Sequence, residues 1–116
     1  MVKFVGCVRR KAGMSTSEFQ DYWKNNHGPL VRSVPEFWGY VRRYVQGHTI
    51  SDPVPGFPPS DEAPFDGIAE LWFDSVEDIG KAFSHSRYLE IIRPDEAKFV
   101  DFASSRIFLV EDVEIQ

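Results

Sequence analysis

The sequence has little of what several classes of protein depend on. It contains one cysteine, Cys7, so no disulfide can form within the chain, and no apolar run approaches the roughly 18 residues that a membrane span needs. The 18 Asp and Glu outnumber the 13 Lys and Arg, which leaves a net charge of -5. Because a nucleic-acid site needs a basic face, we expect partners other than nucleic acid or membrane.

The motifs of several kinds of catalytic site are also missing. The sequence has no glycine-rich phosphate loop and no Gly-x-Ser-x-Gly segment, and His27, His48 and His85 are not spaced as metal ligands on one element. Cys7 lies in an apolar run, which indicates a buried structural thiol. We therefore expect no metal and no cofactor, and acid–base chemistry is the mechanism that remains.

What the chain does contain is enough apolar material for one folded domain. Hydrophobic residues make up 42% and aromatic residues 15% of the sequence, which excludes a disordered chain. A length of 116 residues fits a single domain over 1–116. The N-terminal residues enter a strand pattern without a charged leader or a cleavage site, so we expect a cytoplasmic location.

Hydrophobic periodicity predicts an alternation of strands and helices. Strands are expected at 2–10, 39–46, 66–73 and 105–111, and helices at 15–27 and from Ser75, with Pro94 opening a further short helix. The order strand, helix, strand, strand, helix, strand is that of the ferredoxin-like split βαβ fold (βαββαβ). The fold class is therefore α+β, with a four-stranded antiparallel sheet and helices on one face.

Two features of this pattern bear on assembly and access. The first and last strands are apolar on both faces, and one helical layer covers only one of them, so we expect a homodimer built sheet to sheet. Residues 47–64 form a long connection that holds five of the eight prolines. A connection of this length is either a lid over a site or a plain surface excursion, and the sequence favours neither.

The first helix carries the best candidate for chemistry. Phe19, Trp23 and His27 stand at i, i+4 and i+8, with Tyr22 and Asn26 beside them, so all five are expected on one inward-facing stripe. His27 would therefore be buried. Either it bonds a backbone carbonyl and shapes the following turn, or it acts as an acid–base group.

Both ends of this helix have local signals. Ser15 and Glu18 form the pattern of a capping box at its start. Gly28 followed by Pro29 predicts its end, with Gly28 in the left-handed conformation, because proline cannot continue a helix. His27 is thus expected in the last turn.

The second and third strands supply further candidates. Alternation places one set of second-strand residues on a common face: Tyr40, Arg42, Tyr44, Gln46 and His48. On the third strand the small Gly67 and Ala69 predict a place where a helix packs closely or a cavity opens, and Glu70 and Trp72 lie on the opposite face. Glu70 is expected to pair with Arg42 or Arg106. His85 is expected at a surface helix end.

Five segments of the chain together resemble the EthD family of dimeric α+β barrel proteins. They are Phe19-x-x-Tyr-Trp23, His27-Gly-Pro-Leu30, Tyr44-Val-Gln-Gly-His48, residues 65–73 and Pro94-Asp-Glu96. The resemblance implies a dimer whose sheets form a barrel, with a pocket inside each subunit, and it places motif histidines at His27 and His48. Fungal relatives look like dehydratases or decarboxylases of aromatic polyketides. Fold cousins include lactone isomerases, polyketide cyclases and cofactor-free monooxygenases.

The function we predict from the sequence is that of a cofactor-independent lyase or isomerase, of the dehydratase, decarboxylase or cyclase type. Its substrate would be a small aromatic, polyketide-like or lactone metabolite. His27 would remove a proton next to a carbonyl, and Tyr44 or His48 would donate to the carbonyl oxygen or the departing hydroxyl. Expected substrate-binding residues are Tyr22, Trp23, Trp38, Arg42, Glu70 and Trp72, and Phe37 would add to the apolar walls.

Two alternatives remain open at this stage. One is a non-catalytic dimer that binds a hydrophobic metabolite and supports a catabolic oxidase. The other is a monooxygenase, either cofactor-free or with haem held by His27 or His48.

Overall fold

The four strands form one antiparallel sheet in the order β2-β3-β1-β4. The computed structural model describes all residues from 1 to 116. Its strands are β1 (Val2–Val8), β2 (Val41–His48), β3 (Gly67–Phe73) and β4 (Arg106–Val110). The predicted strands are thus confirmed to within two residues at each end, and the arrangement is the expected ferredoxin-like one.

The helices lie against one face of this sheet. Their bounds are α1 (Thr16–Tyr22), α2 (Gly28–Arg32), α3 (Pro35–Trp38), α4 (Val76–Ser84) and α5 (Arg93–Glu96). A first π-helical turn (Trp23–His27) joins α1 to α2, and a second (Tyr88–Ile92) leads into α5. None of these helices has both the length and the apolar character that crossing a membrane requires.

The first helix begins as predicted but does not end as predicted. Ser15 Oγ accepts the N–H of Glu18, and Glu18 returns a hydrogen bond to the N–H of Ser15. Gly28, however, has a right-handed φ of -56°, and the helix runs on through Pro29 to Arg32. The expected left-handed end at Gly28 was wrong, and His27 lies inside a continuous helical segment.

A π-helical turn explains why proline does not stop this helix. Gly28 donates its N–H to the carbonyl of Trp23, five residues back. Proline has no N–H to donate and its ring crowds the carbonyl four residues earlier, and the wider turn relieves that crowding. The same arrangement precedes Pro94, where Arg93 donates to the carbonyl of Tyr88. Pro94 thus lies in the first turn of the short helix α5, as predicted, and the π-helical turn before it makes the helical segment continuous.

The inward stripe on the first helix is confirmed for its principal members. Phe19, Trp23 and His27 are all buried, whereas Asn26, predicted to lie beside them, is exposed. The Trp23 ring packs against the backbone of Gly67, where an added Cβ would lie 2.4 Å from a ring carbon. Of the two alternatives predicted at Gly67, a closely packed helix or a cavity, the structure shows close packing.

A bulge in β2 breaks the predicted alternation at one position. Val41 pairs with Phe73 and Arg43 with Trp72, so Arg42 is the extra residue. Beyond it the alternation holds, and Tyr44, Gln46 and His48 share the helix side of the sheet.

The opposite face of the sheet, which we call the outer face, carries no helix. Its members on the three strands β1, β3 and β4 include Lys3, Val5, Cys7, Ile68, Glu70, Trp72, Phe108 and Val110. Phe108 is 48% exposed there. The half-buried Cys7 is a free thiol on this face.

The segment between β2 and β3 lies at the surface. Its apolar side chains Ile50, Val54 and Phe57 are exposed, and it is held by few contacts, among them Arg9 Nη1 to the carbonyls of Ala63 and Pro64. No residue of 47–64 lines the internal cavity described below, so its geometry supports the surface excursion and not the lid.

Candidate active site

A cavity of about 440 Å³ lies inside the subunit, between the helix side of the sheet and the helices. Most of its wall is apolar, and the aromatic members include Phe4, Trp23, Phe37, Phe83 and Phe102. Polar groups enter the wall at a few places: His27, Tyr44, Tyr88, Arg93, Glu96 and Ser105. Convergence of a few polar groups on an apolar cavity is typical of a small-molecule site.

The cavity reaches solvent beside the last strand. Ile107 and Leu109 line it, yet they are 71% and 43% exposed, because no helix covers β4. Phe102, also in the wall, is 46% exposed. A small ligand therefore has a path into the cavity along an apolar rim.

His27 is held by a carboxylate on the other helical segment. Its Nδ1 lies 2.8 Å from Oδ2 of Asp95, and the ring packs against Phe99 at a centroid distance of 4.9 Å. Tyr22 donates its hydroxyl to the other oxygen of Asp95 at 2.5 Å. Lys98 Nζ is 3.6 Å from the same oxygen. Two hydrogen bonds and one lysine ammonium group thus converge on the carboxylate that binds His27.

The protonation of this pair follows from its surroundings. Burial lowers the pKa of His27, although Asp95 opposes that shift. Burial pushes the pKa of Asp95 upward, but the hydrogen bonds from Tyr22 and His27 outweigh it and leave the pKa below its usual range. An ionised carboxylate only accepts, so Nδ1 of a neutral His27 carries the hydrogen and Nε2 keeps a lone pair. Nε2 makes no hydrogen bond within the protein.

The next residue, Glu96, lies in the cavity wall, and its pKa is raised where that of Asp95 is lowered. Burial raises the pKa of Glu96 to about 7, and the neighbouring Asp95 adds to the rise. Tyr88 donates its hydroxyl to Oε1 of Glu96 at 2.8 Å, while Arg93 Nε lies 3.9 Å from that oxygen. Adjacent acidic residues of one short helix therefore differ: Asp95 is ionised, and Glu96 is poised to hold a proton near neutral pH.

Tyr44 enters the cavity wall from the sheet. Its hydroxyl oxygen accepts a hydrogen bond from Gln46 Nε2 at 2.8 Å. Burial raises its pKa to about 12, and hydrogen bonding by Gln46 and Trp23 opposes the rise. Trp38 packs edge-on against the Tyr44 ring, on the side of a shallow surface groove.

Among the candidates from the sequence, the cavity brings together His27, Tyr44, Trp23 and Phe37. Tyr22 does not line the cavity but donates a hydrogen bond to Asp95. His48 does not line the cavity; it borders a polar surface depression, where burial and the charge of Lys24 lower its pKa. His85 ends α4, as expected, with its Nδ1 accepting the N–H of Arg87.

Besides Tyr22 and Trp38, three expected substrate-binding residues do not line the cavity: Arg42, Glu70 and Trp72. Arg42 is exposed and pairs with Asp74 at 2.9 Å, because the bulge turns it away from Tyr44. Glu70 and Trp72 are on the outer face. Glu70 pairs with Lys3 at 2.8 Å, so the expected pairing with Arg42 or Arg106 was wrong.

The sequence reasoning missed Asp95, Glu96 and Tyr88. The only signal was the Pro94-Asp-Glu96 segment, which contributed to the family resemblance without a role. Tyr88 and Glu96 line the cavity, and Asp95 lies next to it against His27, because segments about 70 residues apart pack together. No group of three or more His, Cys, Asp or Glu side chains is placed to hold a metal ion, and the expectation of chemistry without a metal or cofactor stays a prediction.

Fold and cavity together define the class of protein: a ferredoxin-like α+β domain with an internal apolar cavity that holds a histidine–carboxylate pair. Residues 11–103 match the sequence model of the EthD domain, and the chain belongs to the EthD family. It is 34% identical over 103 residues to the conidial pigment biosynthesis dehydratase EthD of Metarhizium robertsii, which covers 83% of this chain and 71% of that protein.

Further similarities agree with this assignment. Over 106 residues the chain is 24% identical to dehydratase ustZ of Ustilaginoidea virens, covering 86% of this chain and 75% of that one. An EthD family protein from Bacillus halodurans superposes with a TM-score of 0.70 at 19% identity, covering 97% and 99% of the two chains. A dimeric protein of unknown function and ferredoxin-like fold from Bacteroides fragilis gives 0.65 at 14% identity, covering 96% and 95%. The two structural similarities show the fold alone.

Proposed function

We propose that this protein is a cofactor-independent dehydratase that removes water from a β-hydroxy ketone bound in the internal cavity. The observation that carries the proposal is that one apolar wall holds both a group suited to act as a base and a group suited to act as an acid. His27, backed by Asp95, is a neutral base, and Glu96 is a carboxylic acid with a pKa of about 7. Relatives named as dehydratases support this type of activity.

The base in this proposal is Nε2 of His27. Asp95 holds the hydrogen on Nδ1, which directs the free lone pair of Nε2 to the substrate. As the histidine takes up a proton, the ionised Asp95 stabilises the imidazolium. A positioned acid or base of this kind contributes about 10²- to 10⁴-fold to the rate.

The acid is Glu96. Its Oε1 accepts the Tyr88 hydroxyl, which fixes the side chain, and Oε2 makes no hydrogen bond within the protein. Because burial raises the pKa of Glu96 to about 7, its carboxyl group can hold a proton near neutral pH. That proton goes to the departing hydroxyl.

Tyr44 completes the set as a donor to the carbonyl oxygen. Negative charge develops on this oxygen when the neighbouring carbon loses its proton, and a hydrogen bond in an apolar cavity is most effective there. His48, outside the cavity, is not a donor to substrate in this proposal.

The reaction balances without an external reagent. His27 takes the proton from the carbon next to the carbonyl, the C–H electron pair forms the new C=C bond, and the C–O bond to the β-hydroxyl breaks. Glu96 protonates the leaving oxygen, which departs as water. Proton exchange with solvent then returns His27 to its neutral form and Glu96 to its acid form.

The chemical class of the substrate follows from the wall. An apolar cavity of about 440 Å³ rich in aromatic rings suits a ring system of two or three fused rings, and it has few groups to hold a charged or sugar-like ligand. We propose an aryl ketone with a β-hydroxyl, whose loss of water extends the aromatic system.

The experiment is incubation with a β-hydroxytetralone, which becomes a naphthol when it loses water. Naphthol is followed by fluorescence and confirmed by mass spectrometry. His27→Asn keeps an amide N–H near the position of Nδ1 and removes the base, so it isolates the catalytic atom. Naphthol formation that depends on His27 supports the proposal. A thermal shift with no naphthol indicates a protein that only binds such ketones, and equal rates in His27→Asn overturn the assignment of the base.

We also propose that the protein is a homodimer joined through the outer face. The exposed Phe108 lies beside the half-buried Val110 and Cys7 on a sheet face without a helical layer, and such an apolar face is usually covered. Similarity to a dimeric protein of this fold supports the assembly.

A further inference from the structure

The side-chain amide of Gln46 has an orientation that the main chain fixes. Its Nε2 lies 3.0 Å from the carbonyl oxygen of Trp23, an atom that can only accept. The amide oxygen cannot occupy that position, since two acceptors would then face each other. The carbonyl belongs to the first π-helical turn, where it also accepts the N–H of Gly28. The fold of the helix therefore sets the direction of the amide.

The second N–H of this amide determines what Tyr44 can do. It donates to the Tyr44 hydroxyl oxygen at 2.8 Å, so this oxygen is used as an acceptor. No protein atom accepts the hydroxyl hydrogen of Tyr44, although the half-buried residue lines the cavity. Tyr44 thus has one hydrogen-bond donor left over for a ligand.

His48 holds the other end of the amide. Its Nε2 lies 2.9 Å from Oε1 of Gln46, and because Oε1 only accepts, Nε2 carries the hydrogen. The His48 ring stacks on Trp23, with centroids 4.7 Å apart and planes at 28°. Both ends of the Gln46 amide are therefore occupied, and rotation of the amide would break three hydrogen bonds.

We propose that Gln46 is a positioning residue, supported by His48, that keeps the Tyr44 hydroxyl hydrogen available for the carbonyl of a ketone in the cavity. The inference rests on the proposed function because it takes the ketone class of the ligand from there. It does not require that the protein converts the ketone to product. It gives His48 a role through Gln46 in place of direct contact with substrate.

The test uses α-tetralone, which has the ketone but no β-hydroxyl to lose. Its carbonyl, labelled with ¹³C, is observed by difference infrared spectroscopy when bound to the whole protein. A hydrogen bond from Tyr44 shifts the carbonyl stretch to lower frequency, and Tyr44→Phe abolishes the part of the shift that Tyr44 causes.

Gln46→Glu is the decisive variant because it has nearly the same size and reverses the hydrogen bonding. A carboxylate has no N–H for Tyr44, so the Tyr44 hydroxyl donates to it and no longer to the ketone. We expect the carbonyl shift to fall to that of Tyr44→Phe. His48→Phe keeps a ring on Trp23 but removes the donor to Gln46, and we expect a partial loss.

Gln20→Glu is the matched control. Gln20 Nε2 donates to the carbonyl of Thr49 at 2.9 Å, so the same substitution removes the same kind of bond at a site without a tyrosine. The carbonyl shift should stay as in the unaltered protein. With β-hydroxytetralone, Gln46→Glu should lower kcat about 10²-fold, as loss of one such donor does, with KM little changed. Combining it with Tyr44→Phe should cause no further loss.

The outcomes separate this inference from the proposed function. A Tyr44-dependent carbonyl shift without naphthol formation keeps the inference and overturns the dehydratase. If naphthol forms but Gln46→Glu leaves the carbonyl shift unchanged, the dehydratase is kept and the inference is overturned. Failure of α-tetralone to bind, or an equal loss in Gln20→Glu, also overturns the inference.

Discussion

Asp95 accepts the Nδ1 hydrogen of His27 at 2.8 Å, across 68 residues of sequence. The contact joins the first π-helical turn to α5 and is buried at both ends. It fixes which nitrogen of His27 is free, and it places an ionised carboxylate where a proton arriving on His27 is stabilised. Tyr22, with its pKa raised to about 12 chiefly by the hydrogen bond to Asp95, remains a neutral donor to this carboxylate.

Removing the charge of Asp95 should lower the rate without preventing the substrate from binding. Asp95→Asn can present an amide N–H to Nδ1, which moves the hydrogen of His27 to Nε2 and leaves no base facing the substrate. We expect kcat for β-hydroxytetralone to fall about 10²-fold or more, with KM changed little. Steady-state kinetics measures both.

The control for this variant is Asp74→Asn. Asp74 is exposed and pairs with Arg42, and neither residue lines the cavity, so the kinetics of Asp74→Asn should match those of the unaltered protein. If Asp95→Asn lowers the affinity for α-tetralone as much as it lowers kcat, the pair holds the cavity together and does not orient a base.

The pH dependence of kcat should be bell-shaped, with limbs from two residues. His27 acts as a neutral base, so activity rises with pH through its pKa, which lies below the usual 6.5. Glu96 acts as an acid, so activity falls as pH rises through about 7. Glu96→Gln should lower the rate and remove the alkaline limb alone. An alkaline limb that persists in Glu96→Gln assigns it to another group.

Glu96 should also make stability depend on pH. In the folded protein burial raises its pKa from 4.5 to about 7, so the folded state binds this proton more tightly than the unfolded state. Stability from Glu96 is therefore complete below about pH 4.5 and is lost as pH rises to about 7. The loss amounts to roughly 3 kcal/mol.

Urea unfolding from pH 4.5 to 8 of the unaltered protein and of Glu96→Gln isolates this contribution as a difference. The lowered pKa of His27 has the opposite effect on stability, but it acts in both proteins and cancels. A difference that does not change with pH shows that Glu96 is ionised throughout.

Two glycine substitutions should change stability in opposite directions. At Gly67 a Cβ would meet Trp23 ring atoms at 2.4 Å and 2.9 Å and the Gly47 carbonyl at 2.7 Å, so Gly67→Ala should destabilise the fold by about 1–3 kcal/mol. Gly80, in α4, has open space at that position, so Gly80→Ala should stabilise it by about 0.5–1 kcal/mol. Thermal unfolding measures both. A neutral Gly67→Ala would mean that Trp23 moves aside freely.

A charge on the outer face should separate the proposed dimer. Phe108→Asp places a carboxylate in the proposed interface, and sedimentation velocity should show a monomer at concentrations where the unaltered protein is dimeric. Phe57→Asp is the matched control, since Phe57 is 74% exposed in the connection between β2 and β3. A monomeric unaltered protein, or dissociation by both variants, contradicts this interface.

Local sequence signals predicted the elements well because each depends on near neighbours. The Ser15–Glu18 box, the buried spacing of Phe19 and Trp23 and the close approach at Gly67 all appear as expected. The same local rules were wrong at Gly28-Pro29, where a helix end was predicted. A π-helical turn admits the proline, and no spacing rule distinguishes that turn from a stop.

The sequence by itself determined the order of strands and helices, the inward direction of His27 and the common sheet face of Tyr44, Gln46 and His48, since side-chain periodicity along an element encodes them. Only the tertiary structure decided which group stands behind His27, that Glu96 shares its cavity and that His48 does not. These depend on contacts between distant segments and on how much water each group loses, and both arise only when the helices pack on the sheet.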